Sequence, residues 1–146
     1  MMRSPMRMHE KIILRVTAKF FIPLILLFAL YVQFHGDFGP GGGFQAGVIF
    51  AAAYVLYGLI FGLDAAKKVL PPAVAEAGSA LGFLLYASVG VVCMVRGANF
   101  LDYDVLAAHA THGQHYGILL VELGVGITVA STMAAMFYAL AGRWTE

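Results

Sequence analysis

Residues 44–63 read FQAGVIFAAAYVLYGLIFGL, twenty residues without a charge. The hydrocarbon layer of a bilayer is about 30 Å thick and takes about 20 residues of α-helix to cross. Barrel strands would be about ten residues long and alternating, so this run predicts a membrane helix. Two similar runs follow: residues 77–95, without a charge, and residues 116–141, whose single charge is Glu122. Upstream, residues 20–34 are charge-free but too short to cross alone. Extension back to Ile12 takes in Arg15 and Lys19, whose long stems can snorkel to the headgroups. Pro23 sits near the start, where a membrane helix tolerates it. A charged leader and short apolar core also suit a signal peptide, but no small-x-small cleavage site follows, so an uncleaved helix is expected. The fold predicted is one all-α integral membrane domain over residues 1–146, with spans near 12–34, 44–63, 77–95 and 116–141.

Composition agrees. Apolar residues make up 61% of the 146-residue chain and charged residues 12%, against about 45–50% and 25% in soluble domains. A soluble chain this small could not hide that apolar surface. A net charge of +1 leaves no basic footprint for nucleic acid. The single cysteine, Cys93, excludes an intrachain disulfide and any cysteine-based cluster. The basic residues set an orientation. Arg3, Arg7, Lys11, Arg15, Lys19, Lys67, Lys68 and Arg143 fall in regions that would share one side, leaving only Arg96 on the other. By the positive-inside rule both termini are cytoplasmic (N-in/C-in), and the connections at 35–43 and 96–115 are external.

The first of those connections is the least ordinary segment: His35-Gly36-Asp37-Phe38-Gly39-Pro40-Gly41-Gly42-Gly43-Phe44-Gln45-Ala46-Gly47. It is no phosphate-binding loop, since no Lys-Ser or Lys-Thr follows and no strand precedes it. Its glycines permit a tight hairpin, and Gly43-x-x-x-Gly47 carries a small face into the second helix, as membrane packing requires. The backbone amides and carbonyls, with Asp37 beside them, could also line an ion route. Irregular backbone at membrane depth is tolerated where it is buried in protein or faces water.

The stretch Pro40-Gly41-Gly42-Gly43-Phe44-Gln45-Ala46-Gly47 resembles the Pro-Gly-Gly-Gly-Phe signature of MnhB/MrpB-type subunits, which belong to multisubunit Mrp-type sodium/proton antiporters. Related subunits occur in ion-pumping membrane-bound hydrogenases. The resemblance extends to chain length, four spans and the position of the motif between the first two. It implies an MnhB-like membrane subunit of a prokaryotic plasma (inner) membrane. Sodium ions and protons would be the transported species, and other membrane subunits the partners. One departure is that the family often carries Gly-His shortly before the proline, whereas this chain has Gly36-Asp37 with His35 one position earlier.

Glu122 is the one charge well inside a span, about 9 Å beyond Tyr116 at 1.5 Å per residue. An intramembrane carboxylate costs a few kcal/mol on insertion scales, so it should face protein or water. Either it holds helices together as a packed carboxyl, or it relays a proton or sodium ion, since burial brings both protonation states within reach. Gly126 and Ala130 lie on its face; Gly117, Gly124, Thr128, Ser131 and Ala135 lie opposite. A helix smooth on both sides is expected between neighbours, some from other subunits.

Asp37, Glu122 and His35 are therefore the ion-pathway candidates. Gly39, Pro40, Gly41, Gly42, Gly43, Phe44, Gln45 and Gly47 form the loop motif, and Gly117, Gly124, Gly126 and Ala130 the packing positions. His109, His112 and His115 fan around a helix instead of converging, so no metal site is expected. All five histidines lie at or beyond span ends, which disfavours haem, and no cofactor is expected. Tyr54, Tyr57, Tyr86 and Tyr138 read as packing residues and interfacial anchors. Without a nucleophile–base pair the chain is not expected to be an enzyme. The expected function is a structural antiporter subunit that lines part of the ion route. The alternatives are an equivalent subunit of a hydrogenase-type complex, or a stand-alone homo-oligomeric channel.

Overall fold

A computed structural model of the chain describes residues 12–36 and 39–142. Five helices carry it: α1 (Ile12–His35), α2 (Gly43–Phe61), α3 (Leu63–Val69), α4 (Pro72–Val95) and α5 (Ala110–Gly142). All but the seven-residue α3 are long and apolar enough to cross a membrane.

The boundaries follow from local chemistry. Gly42, at φ 115°, and Gly62, at φ 96°, flank α2 in a region of backbone space that L-side chains rarely adopt. Gly62 both ends α2, its amide bonding to Gly58 O at 2.9 Å, and begins α3. Pro72 occupies the first position of α4, where a missing N–H costs nothing. In α3, Asp64 lies in the first turn and Lys67 and Lys68 in the last, each complementing the helix dipole. The hydroxyls of Tyr54 and Tyr138 meet over the end of α3. Tyr54 donates to Ala66 O at 2.7 Å, which also accepts from the Leu70 amide, and Tyr138 donates to Leu70 O, just past the helix end.

The long helices pack in the order α1, α2, α5, α4. Helix α5 has α2 along one side and α4 along the other, whereas α1 rests on α2 and scarcely touches α5. The α4–α5 seam is built from small residues. A Cβ on Gly124 would stand 2.8 Å from Gly82 O, and one on Gly82 would stand 2.7 Å from Gly124 O, so the two backbones touch. Ser79 and Thr132 share a hydroxyl contact of 3.0 Å across the same seam. Helix α5 thus meets this chain's own α2 and α4 on its two sides, while Ala130 and Ser131 also border an opening toward α1.

Two elements start earlier than the apolar runs do. Helix α4 begins at Pro72, ahead of residue 77, and α5 begins at Ala110, six residues before Tyr116. His112 and His115 therefore ride on a helix. At 33 residues α5 is about 50 Å long, well beyond a hydrocarbon layer.

Candidate functional site

The α1–α2 loop folds onto Glu122. Its amide at Gly42 donates to Val32 O at 3.1 Å, closing the loop against α1. The Glu122 carboxylate then lies between Gly36 and Gly42. A Cβ on Gly42 would stand 2.8 Å from Oε1, and one on Gly36 would overlap both oxygens. Gly43 lies directly on the Glu122 carbonyl, with no room for a side chain. Helix α2 starts there without a side-chain cap, so its first-turn amides place the positive end of the helix dipole beside the half-buried carboxylate.

The other loop residues divide by direction. Gly47 faces α5, where a Cβ would come 2.7 Å from Gly126 O, and Gly41 folds back on Val32. Gly39, Pro40, Phe44 and Gln45 are exposed. His35 stacks on Tyr31, with ring centroids 5.2 Å apart and 20° between planes, and its Nε2 lies under Gly39. Asp37, with Phe38, lies outside the described residues.

Two contributors escaped the sequence reading. Gly36 was passed over because it stands outside the glycine cluster. Gln33 was passed over because it sits inside an apolar run, although it is the only amide between residues 20 and 34 and that was its signal. It is 5% exposed, its Oε1 faces Gly126, and its Nε2 has no hydrogen-bond partner among the described residues. Gly126 is one turn from Glu122, so the amide lies one helical turn from the carboxylate along α5. Below it opens a cavity of about 510 Å³ between α1 and α5, lined by Gln33, Leu30, Ala51, Tyr54, Ile127 and Ala130 among others.

On α5, the exposed Tyr116 opens the apolar run and Glu122 follows about 9 Å later, inside that run. At the other end of α1, the Arg15 guanidinium lies 5.7 Å from the Phe61 ring centre, with Lys19 exposed nearby.

Of the packing positions, Gly124 lies in the α4 seam, Gly126 against Gln33 and Gly43, and Ala130 beside the cavity. Gly117 receives the Tyr103 ring. That ring belongs to a folded cap between α4 and α5, with a 3-10 turn at Tyr103–Leu106. Arg96 Nη1 donates to Val105 O at 2.7 Å, and Gln114 Nε2 donates to Asp104 Oδ1 at 2.8 Å. Burial, reinforced by Tyr86 and Cys93, raises the Tyr103 phenol above its ordinary pKa. His109, His112 and His115 are exposed, and no three His, Cys, Asp or Glu side chains converge among the described residues.

Residues 13–135 match the family described as a domain related to the MnhB subunit of the Na+/H+ antiporter. The chain belongs to the MnhB family. Among curated relatives, a Staphylococcus haemolyticus protein named "Putative antiporter subunit mnhB2" is 31% identical over 137 residues, covering 92% of this chain and 96% of its own. The protein of the same name from Staphylococcus aureus strain Newman is 30% identical with the same coverage. In this MnhB-family chain, Gly42 and Gly43 of the glycine-proline motif close over Glu122 together with Gly36.

Proposed function

We propose that the chain is a small multi-pass subunit of a multisubunit sodium/proton antiporter in a prokaryotic plasma membrane, acting as a transport component and not as an enzyme. In this reading Glu122 and the glycine loop form one step of its ion route. Family membership and the names of its relatives support the first part. The second rests on one observation: the carboxylate of Glu122, within the apolar run of α5, is seated against the backbone of the loop at Gly36, Gly42 and Gly43. There a carboxylate can exchange a proton, or hold a sodium ion together with backbone carbonyls, which suit hard cations. His35, whose ring lies beside Gly39 of the same loop, and Asp37, two residues on in the sequence, are the further candidates for that route. Both termini face the cytoplasm, and the loop and cap face outward, as the distribution of basic residues requires.

The test is sodium-dependent proton exchange in everted membrane vesicles carrying the intact complex. Glu122→Gln should lower the rate about tenfold, roughly 1.4 kcal/mol on the barrier, with the subunit recovered at the normal level. Glu122→Asp should retain part of it. Exchange at the original rate with Gln would remove Glu122 from the route and leave it as a packing residue.

A further inference from the structure

The end of the α1–α2 pair away from the glycine loop carries a different kind of surface. A cavity of about 330 Å³ opens there between the two helices, lined by Arg15, Lys19, Ile22 and Pro23 from α1 and by Tyr57 and Phe61 from α2. Residues 15, 19, 22 and 23 recur at helical intervals and share one face of α1, while 57 and 61 stand one turn apart on α2. The Tyr57 and Phe61 rings, 4.8 Å apart, make one wall, and the Arg15 guanidinium lies over the Phe61 ring at 5.7 Å. Among the described residues no carboxylate lines the cavity. It therefore holds two cations, about 6 Å apart along the helix, and no counter-charge.

The order of these groups narrows the occupant. Arg15 and Lys19 come before the charge-free run that starts at Phe20, and Ile22 and Pro23 lie inside it. Phe61, which Arg15 touches, is the last residue of α2. Cations thus stand at the end of the spans, and apolar walls lead inward from them. A phospholipid has the same order, phosphate first and acyl chain beyond. Arginine grips a phosphodiester with its planar fork, and lysine holds it as a point charge. A zwitterionic lipid brings its own cation beside the phosphate and cancels part of that attraction, whereas a lipid of net negative charge does not. A carboxylate from another subunit would answer the charge but not the apolar wall beneath it.

We infer that this cavity binds an anionic glycerophospholipid, with Arg15 and Lys19 on its phosphate and its first acyl carbons against Ile22, Pro23 and Tyr57. Because the site has walls from both helices, the lipid ties α1 to α2. Helix α1 is the span that most needs such a tie, since it rests on α2 and scarcely touches α5. The site depends on the membrane spans alone and stands whether or not Glu122 carries ions.

The test places the intact complex in phosphatidylcholine nanodiscs that contain a minor fraction of a photoreactive lipid. That lipid is either phosphatidylglycerol or phosphatidylcholine, with a diazirine at the glycerol end of one chain. Adducts are mapped by peptide mass spectrometry to residues 12–23 and 57–61. The phosphatidylglycerol reagent should label these peptides about tenfold more than its phosphatidylcholine counterpart. Arg15→Met and Lys19→Met keep the apolar stems, and each should lower that preference about threefold. Lys67→Met with Lys68→Met removes the same charge from α3, just beyond Phe61, and should leave the preference unchanged. Lys19 is exposed, so its variant reads the loss even where Arg15→Met fails to assemble. Equal labelling by the two reagents, or a preference that survives loss of both Arg15 and Lys19, would overturn the inference. So would an equal fall in the Lys67 and Lys68 variant, which would reveal diffuse attraction, or the absence of adducts because another subunit covers the cavity.

Discussion

Two flanks of α5 behave in opposite ways. Toward α4, Gly82 meets Gly124, and Ser79 meets Thr132, so the backbones close to contact along the seam. Toward α1, Leu30 and Phe34 face Leu123 and Ile127, and the helices stand apart around a cavity. Lipid is as apolar as leucine, so helices in a membrane gain little from burying leucine on leucine. They close where small residues let backbones approach. The α4 seam is therefore closed within one chain, and the α1 flank is left open.

Gly43 and Ala130 break this comparison most sharply. Gly43→Ala sets a methyl group into the Glu122 carbonyl, a backbone atom that cannot step aside. We expect a loss of about 3 kcal/mol, the upper end of overpacking, read as a lower thermal midpoint of the purified complex and less subunit recovered. Ala130→Val adds a larger side chain beside open space and should change the chain's own stability by less than about 0.5 kcal/mol. Equal losses at both positions would mean that the flanks do not differ.

The α4 seam can also be tested by its hydroxyls. Ser79→Ala removes the bond to Thr132, and interhelical hydrogen bonds in membranes average about 0.6 kcal/mol. A shift of that size in the unfolding midpoint, reproduced by Thr132→Val and not increased by combining the two, would show one shared contact. Additive losses would show two independent ones.

The four long helices could be read from charge-free runs because hydrophobicity is summed over twenty residues and survives local exceptions. The same averaging hid Gln33, a single amide among apolar neighbours. It also hid the first turns of α5, where Thr111, His112 and Gln114 look like loop and yet continue the helix. The loop motif announced itself through composition, but what it encloses did not. Nothing in the spacing between Gly36 and Glu122 says that they touch, because their contact depends on α2 and α5 lying side by side. For the same reason the small faces of α5 could be seen in the sequence, whereas the identity of the helices covering them could not.

The smallest effect belongs to the cap that closes the complete flank. The Tyr103 ring lies on Gly117, and burial raises its phenol pKa. The folded cap therefore prefers the neutral phenol. Its contribution is fully present below the ordinary tyrosine value near 10 and is lost as pH rises from there toward the raised value. Protection from hydrogen exchange across residues 97–109, taken relative to the base-catalysed rise common to all amides, should fall over that alkaline range in the natural chain. In Tyr103→Phe the ring still fills the space over Gly117 and no proton can be lost, so the alkaline step should vanish while exchange at neutral pH stays the same. An alkaline step that persists in Tyr103→Phe would trace the cap's sensitivity to another group. A cap already open at neutral pH would show that the hydroxyl, and not the ring, holds it.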